Sequence, residues 1–192
     1  DTFNLAIALL HSFEYTEAEK AFVQVIDQDP KCAMAYWGVA MSIYHGLWAP
    51  PSNEVLEKGS KLLAVAERLP KSKKAEQYLA AIGAFYQEWK TIDNQTRKER
   101  YAQKMKEMYI ANSDDTEVAV FYALALRASA IPTDKTYKIQ REAGKILEAL
   151  FEKEPNHPGI AHYIIHSYDY PELAELGLST ARRYAEIAPN SA

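Results

Sequence analysis

The chain has 192 residues, 48% hydrophobic and 25% charged, with Lys+Arg at 22 against Asp+Glu at 26 and a net charge of -4. That is enough apolar material for a buried core, and the acidic balance excludes a general nucleic-acid binder, whose affinity rests on neutralising phosphates. The one cysteine, Cys32, forms no intramolecular disulfide, and no apolar run approaches the roughly 18–20 residues of a membrane helix, so membrane insertion is not expected.

With 7 Gly, 13 Tyr, many Ala and 9 Pro scattered as punctuation, the composition favours helices joined by short connections. In chain order the expected antiparallel pairs are 2–11 with 16–27, 33–45 with 52–69, 72–89 with 95–110, 115–130 with 137–153, and 159–168 with 171–188. Thr16 followed by Glu19 reads as a capping box at the second helix, and Pro171 fits the first position of the last one. The longest interruption, from Trp48 through Pro50 and Pro51 to Ser52, reads as a rigid connector with Trp48 tucked onto helix ends; a functional lid is the alternative. The first residue is Asp, so the amino terminus is expected to be processed or trimmed.

A repeat runs through these pairs. Ala18, Phe22, Val25 and Pro30 are spaced by four, three and five, and Ala143, Leu147, Leu150 and Pro155 reproduce the steps, as do Gly177, Ala181, Tyr184 and Pro189. In each, a small residue admits a neighbouring helix, larger ones fill the gap, and proline ends the helix because it lacks a donor. The preceding helices align too: Tyr36, Trp37, Gly38, Ala40 and Met41 match Phe121, Tyr122, Ala123, Ala125 and Leu126, with His162 opposite Trp37 and His166 opposite Met41. One hairpin cannot cover its own apolar stripe, so neighbours must stack. The expected fold is all-α, a right-handed α-α superhelix of about five hairpins in one domain over residues 1–192, first helices lining the concave side.

This spacing resembles the tetratricopeptide repeat (TPR). The strings Ala8–Phe13, Cys32–Gly38, Phe121–Leu126 and His157–Asp169 further resemble a group of uncharacterised bacterial TPR proteins, over essentially the whole chain. The chain departs from the repeat pattern in lacking Trp in most first helices, in an extended third hairpin and in the second-hairpin insertion. The resemblance implies a helical-repeat scaffold, and since that group usually continues past the equivalent of Ala192 into a His-rich helix, a fragment of a longer array is expected.

The chemistry concentrates in five histidines. His11 and His45 fall at the ends of first helices, His157 just before one, and His162, His166 and Asp169 stack along one helical face at spacings of four and three. His-x3-His is a two-ligand pair for a divalent transition metal such as zinc, with Asp169 one turn on as a candidate third. Tyr163 stands where a zinc-protease motif has Glu, Ser167 does not face His166 along the helix, and Cys32 has no local base, so no catalytic residue is expected. The bland reading is that these imidazoles bond each other and nearby tyrosines. Lys71, Lys73, Lys74, Arg97, Lys98, Arg100, Lys104 and Lys106 concentrate in the third hairpin, where interspersed Glu99 and Glu107 favour a solvated face over an acidic-partner patch.

The leading expectation is a non-enzymatic, cofactor-free scaffold holding a peptide or protein partner in a concave groove. Its lining would be Trp37, Met41, Tyr44, His45, Gln77, Tyr122, Leu126, His162, His166 and Asp169. The alternative is a metal-binding protein using His162, His166 and Asp169, and a third reading is self-association through the same groove.

Overall fold

The structure, a computed structural model, describes residues 2–188, and every regular element among them is an α-helix. They are α1 (Thr2–His11), α2 (Tyr15–Gln28), α3 (Ala33–Ser42), α4 (Asn53–Glu67), α5 (Lys73–Tyr86), α6 (Asn94–Ala111), α7 (Thr116–Ala128), α8 (Lys138–Phe151), α9 (Pro158–Tyr168) and α10 (Ala174–Ile187). The expected boundaries hold to within a few residues.

The helices fall into two compact units; the first runs through Met108 and the second starts at Tyr109, the division lying inside α6. In the first unit α1 packs on α2, α2 on α3, α3 on α4 and α4 on α5, while α3 also meets α1 and α5. In the second, α7 packs on α8, α8 on α9 and α9 on α10, with α7 also against α9. This nearest-neighbour order is what stacked hairpins require, because each apolar stripe is covered by the next pair.

Five helices begin on a side chain that accepts the otherwise orphaned amide three residues on, Asp93 doing so for α6 through Thr96 N at 3.0 Å. Ser52 caps α4 through Val55 N at 3.4 Å, Ser72 caps α5 through Ala75 N at 3.2 Å, and Asp115 caps α7 through Val118 N at 3.1 Å. His157 does the same for α9, its Nδ1 accepting from Ile160 N at 3.3 Å. The expected Thr16–Glu19 box is not formed: α2 already begins at Tyr15, so Thr16 lies inside the helix and Glu14 precedes it without a side-chain cap. Pro171 does not open α10 either. Leu173 N bonds back to Tyr170 O at 2.9 Å and the Leu173 side chain is buried, so a turn occupies 171–173 and the helix starts at Ala174.

The repeat positions carry the core. Ala18, Phe22, Ala143 and Leu147 are fully buried, and Gly177 is buried with Ala181 and Tyr184 half-buried beside it; Pro189 lies outside the described residues. A further device recurs in both units. Tyr86, the last residue of α5, closes on Gly59 of α4, and Tyr168, the last residue of α9, closes on Gly144 of α8. A Cβ on Gly59 would stand 2.1 Å from the Tyr86 ring, and one on Gly144 2.3 Å from that of Tyr168. Each glycine therefore admits a large ring at a helix crossing rather than supplying flexibility.

Candidate functional site

The aromatic half of the expected groove is interior. α3 buries nine of its ten residues, so no side of it is left as a lining stripe. A helix apolar around its circumference is a core helix. The Trp37 ring lies 5.2 Å from Tyr78 and 6.5 Å from Phe22, Met41 sulfur accepts from Tyr101 Oη at 3.4 Å, and Tyr44 is wedged 4.5 Å from Phe85 and 5.3 Å from Tyr101. Burial pushes the Tyr44, Tyr86 and Tyr101 phenols well above their usual range, so they are neutral packing groups. Gln77 is half-buried on α5. Tyr122 is buried and stacks on Tyr109 at 5.2 Å, and Leu126 is half-buried.

His45 is not at a helix end, because α3 stops at Ser42. It takes a left-handed φ of 46° and sets its ring 4.3 Å from that of Tyr15. Burial lowers its pKa, with the Ser42 backbone and the Glu19 charge pulling the other way. Trp48 stands edge-on to Phe13 at 5.0 Å and to Tyr15 at 5.8 Å, which matches the connector reading, with its indole still 47% exposed.

The basic set of the third hairpin divides. Arg97 is an interior group, 3% exposed, with its guanidinium 4.6 Å over the Phe85 ring and Nη2 donating to Asn94 Oδ1 at 3.4 Å; burial lowers its pKa. Arg100 pairs with Glu88 at 2.7 Å and Lys104 with Glu107 at 2.8 Å, both on the surface. These are solvated pairs of small energetic weight.

An open feature of the first unit lies over α5. Ser60, Leu63, Ala64 and Glu67 of α4, Lys71, and Glu76, Ala80, Gly83 and Gln87 along α5 line a cavity of 390 Å³. It continues past Gln87 into a shallower depression bounded by Ala84, Thr96, Glu99, Arg100, Gln103 and Lys104. Gly83 is the informative member, since a Cβ built there meets nothing within 4 Å, unlike those on Gly38, Gly59 and Gly144. A mid-helix glycine costs about 1 kcal/mol relative to alanine, and no neighbouring ring accounts for it here. The sequence signal was a glycine inside Ala81-Ile82-Gly83-Ala84 with no counterpart in the repeat frame.

In the second unit the histidines come together as the spacing predicts. His162 and His166 face each other Nε2 to Nε2 at 3.1 Å, and the His162 ring is stacked 5.1 Å from Tyr184 of α10. His162 is 8% exposed and His166 half-buried. Burial, then the His162 charge, push the His166 pKa down to about 4, with Asp169 opposing and Arg127 adding to the shift. Arg127 of α7 donates from Nε to the His166 carbonyl at 2.9 Å and from Nη2 to Tyr170 Oη at 2.8 Å, fixing the end of α9. Asp169 is exposed and, among the described residues, does not complete a three-ligand cluster with the two imidazoles. It follows the last residue of α9, where the backbone has left the helix, so the expected one-turn spacing is lost. His157 bonds Glu117 at 3.1 Å while capping α9. Ser167 donates to Tyr163 O at 2.8 Å, the back-bond of a core helix serine.

These features define an all-α protein of tandem helical hairpins, with an open trough in its first unit and an imidazole pair in its second. Among solved structures the chain is similar to the crystal structure of YrrB, a TPR protein with an unusual peptide-binding site. The identity is 17% and the TM-score 0.47, over 98% of this chain and 86% of that one. No family model and no curated protein matches the chain. The fold described above therefore stands on the helices of this chain. No helix among the described residues is long and apolar enough to cross a membrane.

Proposed function

We infer that the chain is a non-enzymatic helical-repeat scaffold that holds a peptide segment of a partner protein. What supports this reading is the trough over α5, whose floor at Ala80 and Gly83 leaves the helix backbone open to close approach. Its 390 Å³ falls within the roughly 300–1,000 Å³ typical of ligand sites. Leu63, Leu79 and Ala80 offer apolar contact, while Glu67, Lys71, Glu76 and Gln87 set charges and hydrogen-bonding groups along the rim. A bound segment would place small apolar side chains over Gly83 and meet that alternating rim with its own polar groups, the helix-face docking mode. Of the rings assigned to a groove from sequence, Trp37 and Tyr44 are buried packing groups of the first unit and do not line this trough.

A random-peptide display library selected on the protein, then screened against Gly83→Phe and Ala80→Arg, tests the reading. Enriched sequences should lose binding to both variants while the variants keep their helicity and melting temperature. Peptides indifferent to both substitutions would place the binding surface elsewhere and remove the trough as a site.

A further inference from the structure

The imidazole pair on α9 has a second chemistry available to it. We propose that His162 and His166 form a two-nitrogen site for a divalent transition-metal ion of the copper, nickel and zinc class, with the remaining coordination positions filled by water.

The separation is the first argument. Metal–imidazole bonds are about 2.0–2.1 Å, so two nitrogens 3.1 Å apart subtend about 95–102° at a shared ion. That lies between the octahedral and tetrahedral angles, and neither ring has to move far to supply it. The ring planes are inclined at 51° with centres only 4.8 Å apart, short for two imidazoles aligned end to end on one N–H···N axis. The rings are therefore tilted off that axis, and a tilt toward a common point is what a shared ion requires.

Preorganisation is the second. His162 is held by stacking at 15° on Tyr184, and the α9 backbone beneath His166 is clamped by Arg127, so little side-chain freedom is lost on binding. Both atoms facing the ion are Nε2, and His166 is half-buried rather than sealed, leaving a path of entry.

The exchange balances without redox chemistry. In the metal-free pair one ring carries a proton on Nε2 and donates it to the other. On binding, that proton moves through solvent to Nδ1 of the same ring, both Nε2 lone pairs enter the metal, and no net proton is released. The ion keeps its charge of two, with Asp169 the carboxylate nearest in effect to His166 and Arg127 opposing it. Two nitrogens alone make a modest site, so affinity should follow the intrinsic order of the metals, copper above nickel and copper above zinc.

Tag-free protein is titrated calorimetrically with the copper, nickel or zinc salt alone in a non-coordinating buffer. One equivalent of Cu(II) should bind, and His166→Ala, which empties a half-exposed position, should weaken it on the order of tenfold to a hundredfold. His162→Phe keeps the stack on Tyr184 and should weaken it comparably, whereas His45→Ala should change nothing. In ¹⁵N-labelled protein, Zn(II) should shift the Nε2 resonances of both His162 and His166 and leave their Nδ1 protonated. Copper affinity unchanged in His166→Ala, or zinc-induced shifts at other imidazoles alone, would overturn the proposal.

Discussion

Tyr86 closes on Gly59 so tightly that a Cβ at position 59 would stand 2.1 Å from the ring, and the same tyrosine donates from Oη to Ala40 O at 2.8 Å. A buried ring fixed at its far end cannot retreat. Gly59→Ala should therefore destabilise the protein by about 1–3 kcal/mol, even though alanine is the better helix former by about 1 kcal/mol. The urea midpoint should fall with the m-value unchanged. Gly144→Ala, against Tyr168, should behave alike.

Gly83 is the opposite case. It also sits inside a helix, but nothing stands within 4 Å of the position a methyl would take. Gly83→Ala should raise stability by about 0.5–1 kcal/mol through the loss of unfolded-state freedom, visible as a higher melting temperature. If the trough binds a peptide, the same substitution should weaken that binding, so stability and affinity move in opposite directions.

Acid should weaken the fold through His166. Its folded-state pKa, pushed down to about 4, lies below the unfolded value of 6.5. Between the two the unfolded chain binds the proton and the folded chain does not, so the His166 contribution is full above about pH 6.5, declines toward pH 4 and levels off below. The loss amounts to at most about 3 kcal/mol. His45, also lowered, acts in the same direction. Urea midpoints at pH 7.5 and pH 5 should differ less in His166→Gln than in the parent chain.

Arg127 ties α7 to the end of α9 by bonds at 2.9 Å to the His166 carbonyl and 2.8 Å to Tyr170 Oη. Arg127→Met keeps much of the stem's packing and removes both bonds, and should cost about 1–3 kcal/mol. Amide exchange should quicken at Ser167 through Tyr170. Arg127→Lys should not restore protection, because an ammonium cannot serve two acceptors in the same fixed fork.

Legibility followed the range of the forces involved. The repeat Ala18-Phe22-Val25 and its echo Ala143-Leu147-Leu150 could be read directly, because helical periodicity and proline termination act over a few residues. The His162–His166 pairing was legible for the same reason, both residues being on one helix face. The burial of Trp37, Met41 and Tyr44 was not legible, because it required a side to be chosen for each of them. In a helix as apolar as α3 no polar stripe marks the outside.

An all-α fold, the five helix pairs among the described residues with their boundaries to within a few positions, and the paired imidazoles could be read from the chain alone, since each depends on neighbours in sequence. It took the packing of other helices to turn the aromatic rings inward and the end of α9 to carry Asp169 off the helical face. The same packing decided that Gly59 is covered while Gly83 is open. Those outcomes depend on which ring another helix delivers to a given spot, and a residue's own neighbours in sequence carry no record of that.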